Sequence, residues 1–82
     1  MSDLKIYPNP VEDRLNIQLN LQESGEVLIE VMDPQGRLIE QKEIYFYGND
    51  LIQLDVSHYI EGLYFLRISD KTRMSIRKII KQ

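Results

Sequence analysis

Apolar and polar residues alternate along most of this chain, and that two-residue period limits its fold more than any other feature. In the segment from residue 14 to residue 21, the residues that fall on one face are Leu15, Ile17, Leu19 and Leu21. Successive side chains of a β-strand point to opposite faces, so this pattern predicts a half-buried strand. The chain also has no alanine and eleven isoleucines, a composition that favours sheet over helix.

Seven segments of this character are separated by turn residues. The predicted strands span residues 4–7, 14–21, 26–32, 37–46, 52–56, 62–68 and 74–81. Seven short antiparallel strands predict an all-β, immunoglobulin-like β-sandwich, and an open barrel of five or six strands is the alternative. A chain of 82 residues is long enough for one domain only, with residues 1–3 as a linker start and residues 4–82 as the sandwich.

Turn residues predict how some of these strands are connected. Asp33-Pro34-Gln35-Gly36 follows the pattern of a type I turn, which would join residues 26–32 and 37–46 as a hairpin. Glu23-Ser24-Gly25 marks an earlier turn. Residues 57–61 are expected to form a helical or irregular turn that ends at Gly62.

Two further segments have distinct expected positions. Tyr7-Pro8-Asn9-Pro10 cannot lie in a central strand, because proline lacks the N–H group that a strand ladder requires. We expect a stiff segment at a sheet edge there. Residues 62–68 are the most continuously apolar part of the chain and predict a central strand that is buried on both faces.

No catalytic or metal-binding arrangement can be recognised in the sequence. The absence of cysteine excludes a disulfide, a thiolate metal site and a cysteine nucleophile, and His58 is the single histidine. The four glycines are scattered at turns rather than gathered in a phosphate-binding loop. We therefore predict that the domain is not an enzyme and that it holds no metal ion or cofactor.

Three consecutive aromatic residues, Tyr45, Phe46 and Tyr47, precede a predicted turn. Neighbours on a strand point to opposite faces, so we expect Phe46 in the core and the tyrosines at its rim. In the alternative interpretation, the two tyrosines form an exposed platform that binds a sugar or a peptide.

The net charge of −3 conceals an uneven distribution. Residues 1–70 carry 13 acidic and 5 basic residues, whereas residues 71–82 carry five basic residues and no acidic one. The basic end could bind an acidic partner or pair with the acidic body of the same domain, and we favour such pairing for part of the charge. Nucleic acid is excluded as a partner, because the body is acidic and no aromatic residues interleave with the basic ones.

The ordered set of landmarks along the chain resembles the C-terminal sorting domain, type A, of proteins exported by the type IX secretion system. The resemblance spans about Leu4 to Gln82 and rests on Tyr7-Pro8-Asn9-Pro10-Val11 and on residues 13–17, 33–38, 60–68 and 77–82. We expect a structural role for its landmark residues, which are Tyr7, Pro8, Asn9, Pro10, Gly36, Arg37, Gly62 and Tyr64. Arg37 and Arg67 could serve either as contacts for a partner or as ion-pair partners for the acidic body.

The resemblance implies an immunoglobulin-like sandwich that forms the tail of a larger protein from a bacterium of the Bacteroidota. Its implied partners are an N-terminally attached cargo, the type IX translocon, an outer-membrane shuttle protein and a sortase. The implied route leads through the periplasm to the outer membrane and cell surface, or to the medium. The sortase then removes the domain, and the cargo is released or joined to anionic lipopolysaccharide. On this interpretation, a signal peptide would lie at the far end of the precursor.

Within this interpretation, we hypothesise that the translocon recognises the C-terminal segment, because it is a basic end on an acidic body. The segment consists of Arg77, Lys78, Ile79, Ile80, Lys81 and Gln82. The alternative function is an accessory fibronectin-like or carbohydrate-binding module of a secreted enzyme, with Tyr45 and Tyr47 as its platform. An isolated cytoplasmic β protein is a third option. Exposed strand edges would also permit weak self-association.

Overall fold

The computed structural model describes residues 4–20 and 24–82, and every regular element in these ranges is a β-strand. The strands are β1 (Leu4–Tyr7), β2 (Arg14–Asn20), β3 (Gly25–Met32), β4 (Leu38–Phe46), β5 (Asn49–Asp55), β6 (Gly62–Ser69) and β7 (Met74–Lys81). Each coincides with a predicted strand to within a residue or so at either end, except that β5 begins earlier than predicted. The predictions for residues 1–3 and for residues 21–23 lie outside the described residues. No helix in the described ranges is long and apolar enough to cross a membrane.

The strands form two sheets, and neighbouring strands within each sheet are antiparallel. One sheet has three strands in the order β1-β2-β5, and the other has four in the order β4-β3-β6-β7. Buried side chains from both sheets form one hydrophobic cluster between them. The fold is therefore a β-sandwich as predicted, and not the open barrel.

Alternate residues of the strands build the core. The buried apolar residues of β2 and β3 are Leu15, Ile17, Leu19, Val27, Ile29 and Val31. Burying one such aliphatic side chain stabilises the fold by about 1.5–3 kcal/mol. Phe46 is fully buried, while Tyr45 and Tyr47 are 48% and 75% exposed. These exposures confirm that Phe46 belongs to the core and that the tyrosines lie at the surface.

β3 and β4 form the predicted hairpin around Asp33. The Gly36 N–H donates to the Asp33 carbonyl oxygen at 2.9 Å, and the Asp33 N–H donates to the Arg37 carbonyl oxygen at 3.0 Å. The Asp33 carboxylate accepts hydrogen bonds from the main-chain N–H groups of Gln35 and Arg37 at 3.0 and 2.9 Å. Gly36 has a φ of 86°, in the left-handed region that favours glycine. Turn geometry therefore explains both Asp33 and Gly36.

β6 is a central strand, but it is buried on one face only, so the prediction of burial on both faces is wrong. It pairs with β3 on one side and with β7 on the other. Its inward residues Leu66 and Ile68 are fully buried, whereas Leu63 is 37% exposed on the outer face. Each sheet of a two-layer sandwich covers only the inner face of the other. Among the described residues, no third layer lies over the outer face of the four-stranded sheet.

Candidate recognition surface at the C-terminal strand

The even-numbered residues of β7 point to solvent, and its odd-numbered residues point towards the core. The exposed apolar residues are Met74, Ile76 and Ile80, and the buried residues are Ser75, Ile79 and Lys81. The sequence predicts these two sets of residues, but it does not say which set lies inside. The register with β6 decides this, because Ser75 pairs with Ile68, which points into the core. Directly paired residues of adjacent strands share a face.

A short segment that follows β1 lies along the C-terminal half of β7. Asn9 Nδ2 donates a hydrogen bond to the Lys78 carbonyl oxygen at 2.9 Å, and Asn9 Oδ1 accepts one from the Ile80 N–H at 3.0 Å. The Val11 N–H donates to the Ile80 carbonyl oxygen at 2.8 Å, and the Gln82 N–H donates to the Val11 carbonyl oxygen at 2.8 Å. We name residues 9–11 the clamp segment, because these four hydrogen bonds hold it to β7.

The residue types in and around the clamp segment explain this arrangement. Pro8 and Pro10, both preceded by cis peptide bonds, lack N–H groups, so the backbone around Asn9 cannot form an ordinary strand ladder. The Asn9 side chain carries both a donor and an acceptor and bonds to two main-chain groups of β7 instead. Val11 forms a parallel bridge with Lys81, and the Val11 side chain is buried in the core. The stiff segment expected at a sheet edge thus lies at the edge of β7.

The landmark residues gather at one end of the sandwich. In β6, Gly62 pairs with Lys81 at the end of β7, beside the clamp segment. Met32, the last residue of β3, pairs with Phe65 near the start of β6. The turn that carries Gly36 and Arg37 follows Met32 and therefore lies at the same end. We name this part of the molecule, with residues 7–11, 33–37, 62–64 and 77–82, the landmark end.

Three of the six residues in the hypothesised recognition segment are exposed to solvent. The exposed residues are Lys78, Ile80 and Gln82, whereas Arg77 is half-buried and Ile79 and Lys81 are buried. The Lys81 Nζ donates to the main-chain oxygen of Gln82 at 2.7 Å. The segment is therefore a fixed strand with one accessible face rather than a free tail.

The basic residues within 71–82 form fewer ion pairs with the acidic body than the sequence suggests. Among the described residues, Arg73 is the only basic side chain of residues 71–82 that lies within 4.0 Å of an acidic side chain, at 3.5 Å from Asp70. Asp70 belongs to the adjoining turn, where it accepts a hydrogen bond from the Arg73 N–H at 2.7 Å. Lys71 and Lys78 are exposed. Pairing within the domain therefore accounts for a minor part of the basic charge.

Two arginines outside this segment do pair with acidic residues of the body. Arg37 Nε lies 2.6 Å from Asp33 Oδ2 in the hairpin turn, although most of the Arg37 side chain is exposed. Arg67 Nε lies 2.8 Å from Glu30 Oε1 on the outer face of the four-stranded sheet. Both arginines therefore form ion pairs with the acidic body, which is one of the two roles considered for them.

Sequence reasoning missed a small tyrosine cluster beside the landmark end. The Tyr59 hydroxyl donates to the Glu40 carboxylate, and the Tyr59 and Tyr64 rings lie 5.2 Å apart. Burial and the neighbouring carboxylate raise the pKa of Tyr59. The Tyr64 hydroxyl donates to the Ile60 carbonyl oxygen at 2.6 Å, across the start of β6 at Gly62. These contacts hold the segment of residues 57–61, which forms an irregular turn and not a helix.

Comparison with known families supports the resemblance drawn from separate motifs. A family model described as a secretion system C-terminal sorting domain matches residues 5–82, nearly the whole chain. A search of curated proteins gave no match. The matched range includes the clamp segment, the landmark end and β7 together.

Proposed function

This chain belongs to the family of secretion system C-terminal sorting domains, and we propose that it directs an N-terminally attached cargo through the type IX outer-membrane translocon by displaying its landmark end. As a type IX sorting signal, the domain acts with the type IX machinery on a cargo that is exported to the outer membrane or cell surface, or secreted. In this proposal, residues 4–82 form one domain that performs no catalysis and is recognised by the translocon and its shuttle protein.

The contact between the clamp segment and β7 carries this proposal. Four hydrogen bonds connect residues near the start of the chain to residues at its end. The two parts of this surface come together only when the sandwich has folded. A signal of this kind is a folded surface rather than a linear peptide, which suits machinery that must recognise many cargos by the same tail.

Exposed side chains of the landmark end supply the contact chemistry. Lys78 offers a positive charge, Gln82 an amide, and Ile80 an apolar surface next to Leu63 of β6. The backbone that carries them is held by β6 on one side and by the clamp segment on the other. Little conformational entropy is therefore lost when a partner binds these residues.

The attachment point of the cargo lies away from this surface. β1 starts at the opposite end of the sandwich, where Leu4 pairs with Leu19. A cargo joined ahead of β1 leaves the landmark end accessible to the translocon. Residues Leu4–Tyr7 are paired with β2, whereas proteases cleave unpaired, accessible segments. We therefore propose that a sortase cleaves at or before the first few residues, after which the cargo is released or attached to anionic lipopolysaccharide.

A reporter fusion tests the sorting function directly. The chain is fused to the C-terminus of a reporter that carries a periplasmic signal peptide, in a bacterium with a type IX system. The reporter is expected at the cell surface or in the medium, and it is expected to stay in the periplasm when the translocon gene is deleted. Periplasmic retention in both strains would contradict the proposal.

A charge reversal at Lys78 separates recognition from folding. Lys78 is exposed at the landmark end, so Lys78→Glu should lower surface delivery of the reporter by about tenfold, a loss typical of a reversed contact charge. Lys5→Glu makes the same change at an exposed position of β1 and should leave delivery unchanged. Deleting residues 77–82 is less informative, because it also removes the buried Ile79. Equal delivery of the two variants would assign recognition to another surface.

One observation favours a second candidate function, a carbohydrate- or peptide-binding module. Tyr45 and Tyr47 are exposed, and their ring centroids lie 4.9 Å apart with the planes tilted by 55°. Exposed aromatic rings offer apolar faces on which a sugar ring can stack. This candidate predicts glycan or peptide binding that is lost in Tyr47→Ala, measured by calorimetry, while export of the reporter fusion is unchanged in that variant.

A further inference from the structure

We infer that the open part of the β7 edge, from Met74 to Lys78, binds an extended segment of a partner protein as an added β-strand, and that this segment alternates acidic and apolar residues. The inference goes beyond the sorting function and can be tested on the purified chain without any export machinery. The main chain, the exposed side chains and the local charge of β7 each support it.

The main chain of β7 is open along this stretch. β7 is the last strand of its sheet, and the clamp segment reaches only as far as the Lys78 carbonyl oxygen. In antiparallel pairing, the main-chain groups of alternate residues point to the same edge. Because the N–H and carbonyl groups of Ile80 point to the clamp segment, those of Met74 and Ile76 point to this edge too.

Among the described residues, a single side-chain contact reaches the edge main chain in this open stretch. The Arg77 guanidinium lies 3.5 Å from the Ile76 carbonyl oxygen, at the long limit for a hydrogen bond. The covered half of the same edge already accepts a strand-like partner, since Val11 forms a parallel bridge with Lys81. An added strand would extend the row of contacts that the clamp segment begins. Strand addition draws its affinity from such main-chain hydrogen bonds.

The side chains along the open edge favour an apolar partner face. Met74 is 55% exposed and Ile76 is 49% exposed, on the same face as Leu63 and the half-buried Phe65 of β6. Soluble proteins usually protect an edge strand with charged residues or proline. Met74 and Ile76 offer no such protection, so an added strand with apolar residues on the matching face would cover them.

The charge around the edge favours an acidic partner over a second copy of this chain. Residues 71–82 carry five basic residues and no acidic one, and Lys71 and Lys78 are exposed at the two ends of the open stretch. If two copies paired through β7, the same basic segments would lie opposite each other and repel. When the apolar residues of an added strand cover Met74 and Ile76, its alternating acidic residues lie on the other face, beside the half-buried Arg77, whose guanidinium reaches the edge.

An NMR titration of the purified chain tests this inference. The probe is a synthetic peptide of about eight residues, the length of an ordinary strand, in which valine and glutamate alternate. The amide signals of Met74 and Ile76 are expected to shift, and added salt should weaken the binding. The same peptide with lysine in place of glutamate should bind at least about fivefold more weakly. The absence of shifts at millimolar peptide, or equal binding of both peptides, would overturn the inference.

A proline substitution tests the role of the edge main chain. Ile76→Pro removes one N–H that points away from β6, and proline is tolerated at a sheet edge in that position. This variant should stay folded, which the dispersion of its amide chemical shifts can verify, and it should lose peptide binding. The control, Ile76→Val, should bind the peptide as the unmodified chain does. Unchanged binding in folded Ile76→Pro would contradict the inference.

A second variant of Ile76 and a dilution series of the chain alone complete the test. If Ile76→Pro does not fold, Ile76→Glu places a negative charge against the apolar residues of a negatively charged peptide and should weaken binding by at least about fivefold. Unaltered binding by Ile76→Glu would also count against the inference. Shifts at Met74 and Ile76 that depend on the concentration of the chain alone would identify a second copy as the occupant and would overturn the inference.

Discussion

Asn9 Oδ1 accepts a hydrogen bond from the N–H of Ile80 at 3.0 Å, although the two residues lie 71 positions apart in the chain. The same amide group donates to the Lys78 carbonyl oxygen, so one side chain connects the start of the domain to its last strand. Terminal strands tend to fray unless they are tied down. This contact therefore stabilises the strand that carries the hypothesised recognition residues.

Replacing Asn9 should loosen the last strand. Asn9→Ala removes two hydrogen bonds, each of which contributes about 0.5–1.5 kcal/mol, so the free energy of unfolding should fall by about 1–3 kcal/mol. Urea denaturation measures this loss, and amide hydrogen exchange at Ile80 should become faster. The control is Asn16→Ala, which removes a single side-chain contact with Gln53 at 3.0 Å. An equal loss of stability in both variants would contradict the role assigned to Asn9.

Adjacent isoleucines of β7 should differ strongly in their effect on stability. Ile79 is 4% exposed and Ile80 is 43% exposed. Ile79→Ala leaves a cavity in the core and should lower the free energy of unfolding by about 2–5 kcal/mol. Ile80→Ala should change it by about 1 kcal/mol or less. Thermal or urea unfolding of the two variants checks this order, and the reverse order would show that the faces of β7 are assigned wrongly.

Gly36 should tolerate a side chain less well than Gly25. A Cβ at either position meets no atom within 4 Å, so steric clash does not distinguish them. Gly36 has a φ of 86°, where a side chain costs about 1–2 kcal/mol. Gly36→Ala should lower the free energy of unfolding by that amount, while Gly25→Ala should change it by about 0.5 kcal/mol or less. Comparable urea midpoints for the two variants would argue against a strained turn.

Acid should destabilise the domain in part through Asp33. Burial tends to raise the pKa of Asp33, but hydrogen bonds from the Arg37 N–H and guanidinium outweigh it, and the pKa lies below its ordinary value of 3.8. A carboxyl group whose pKa is lower in the folded state stabilises the fold above the unfolded pKa. That stability is lost as the pH falls through the folded pKa, so the free energy of unfolding should decline below about pH 4.

Asp33→Asn isolates this contribution. The variant cannot ionise at residue 33, so it should be less stable than the parent chain near neutral pH and should lose less stability in acid. Urea unfolding between about pH 2 and pH 7 measures both curves. Parallel curves for the two proteins would show that Asp33 does not contribute to the acid sensitivity.

Local patterns were enough to predict most of the fold. The alternation of Leu15, Ile17 and Leu19 predicts β2, because the two faces of a strand are set by neighbours in the chain. The hairpin follows from Asp33 and Gly36, since a turn depends on a few consecutive residues. The burial on both faces predicted for residues 62–68 was wrong, because burial depends on whether another layer covers the sheet.

The candidate site was only partly predictable. Residues 7–10 and 77–82 could be singled out separately, but nothing in the sequence indicated that Asn9 bonds to the main chain of β7. The basic charge suggested ion pairing with the acidic body, whereas Lys81 is buried beside Val11. Such contacts depend on how the sheets bring distant segments together, which a pattern of neighbouring residues does not record.

By itself, the sequence determined which seven segments form strands, how the hairpin turns and to which family the chain belongs. Only the tertiary structure decided which face of β7 lies inside and which segment closes part of its edge. A two-residue period divides a strand into two faces without stating which one meets the second sheet. That choice depends on the register of Ser75 and Ile79 against β6, and the clamp depends on a contact between residues 71 positions apart.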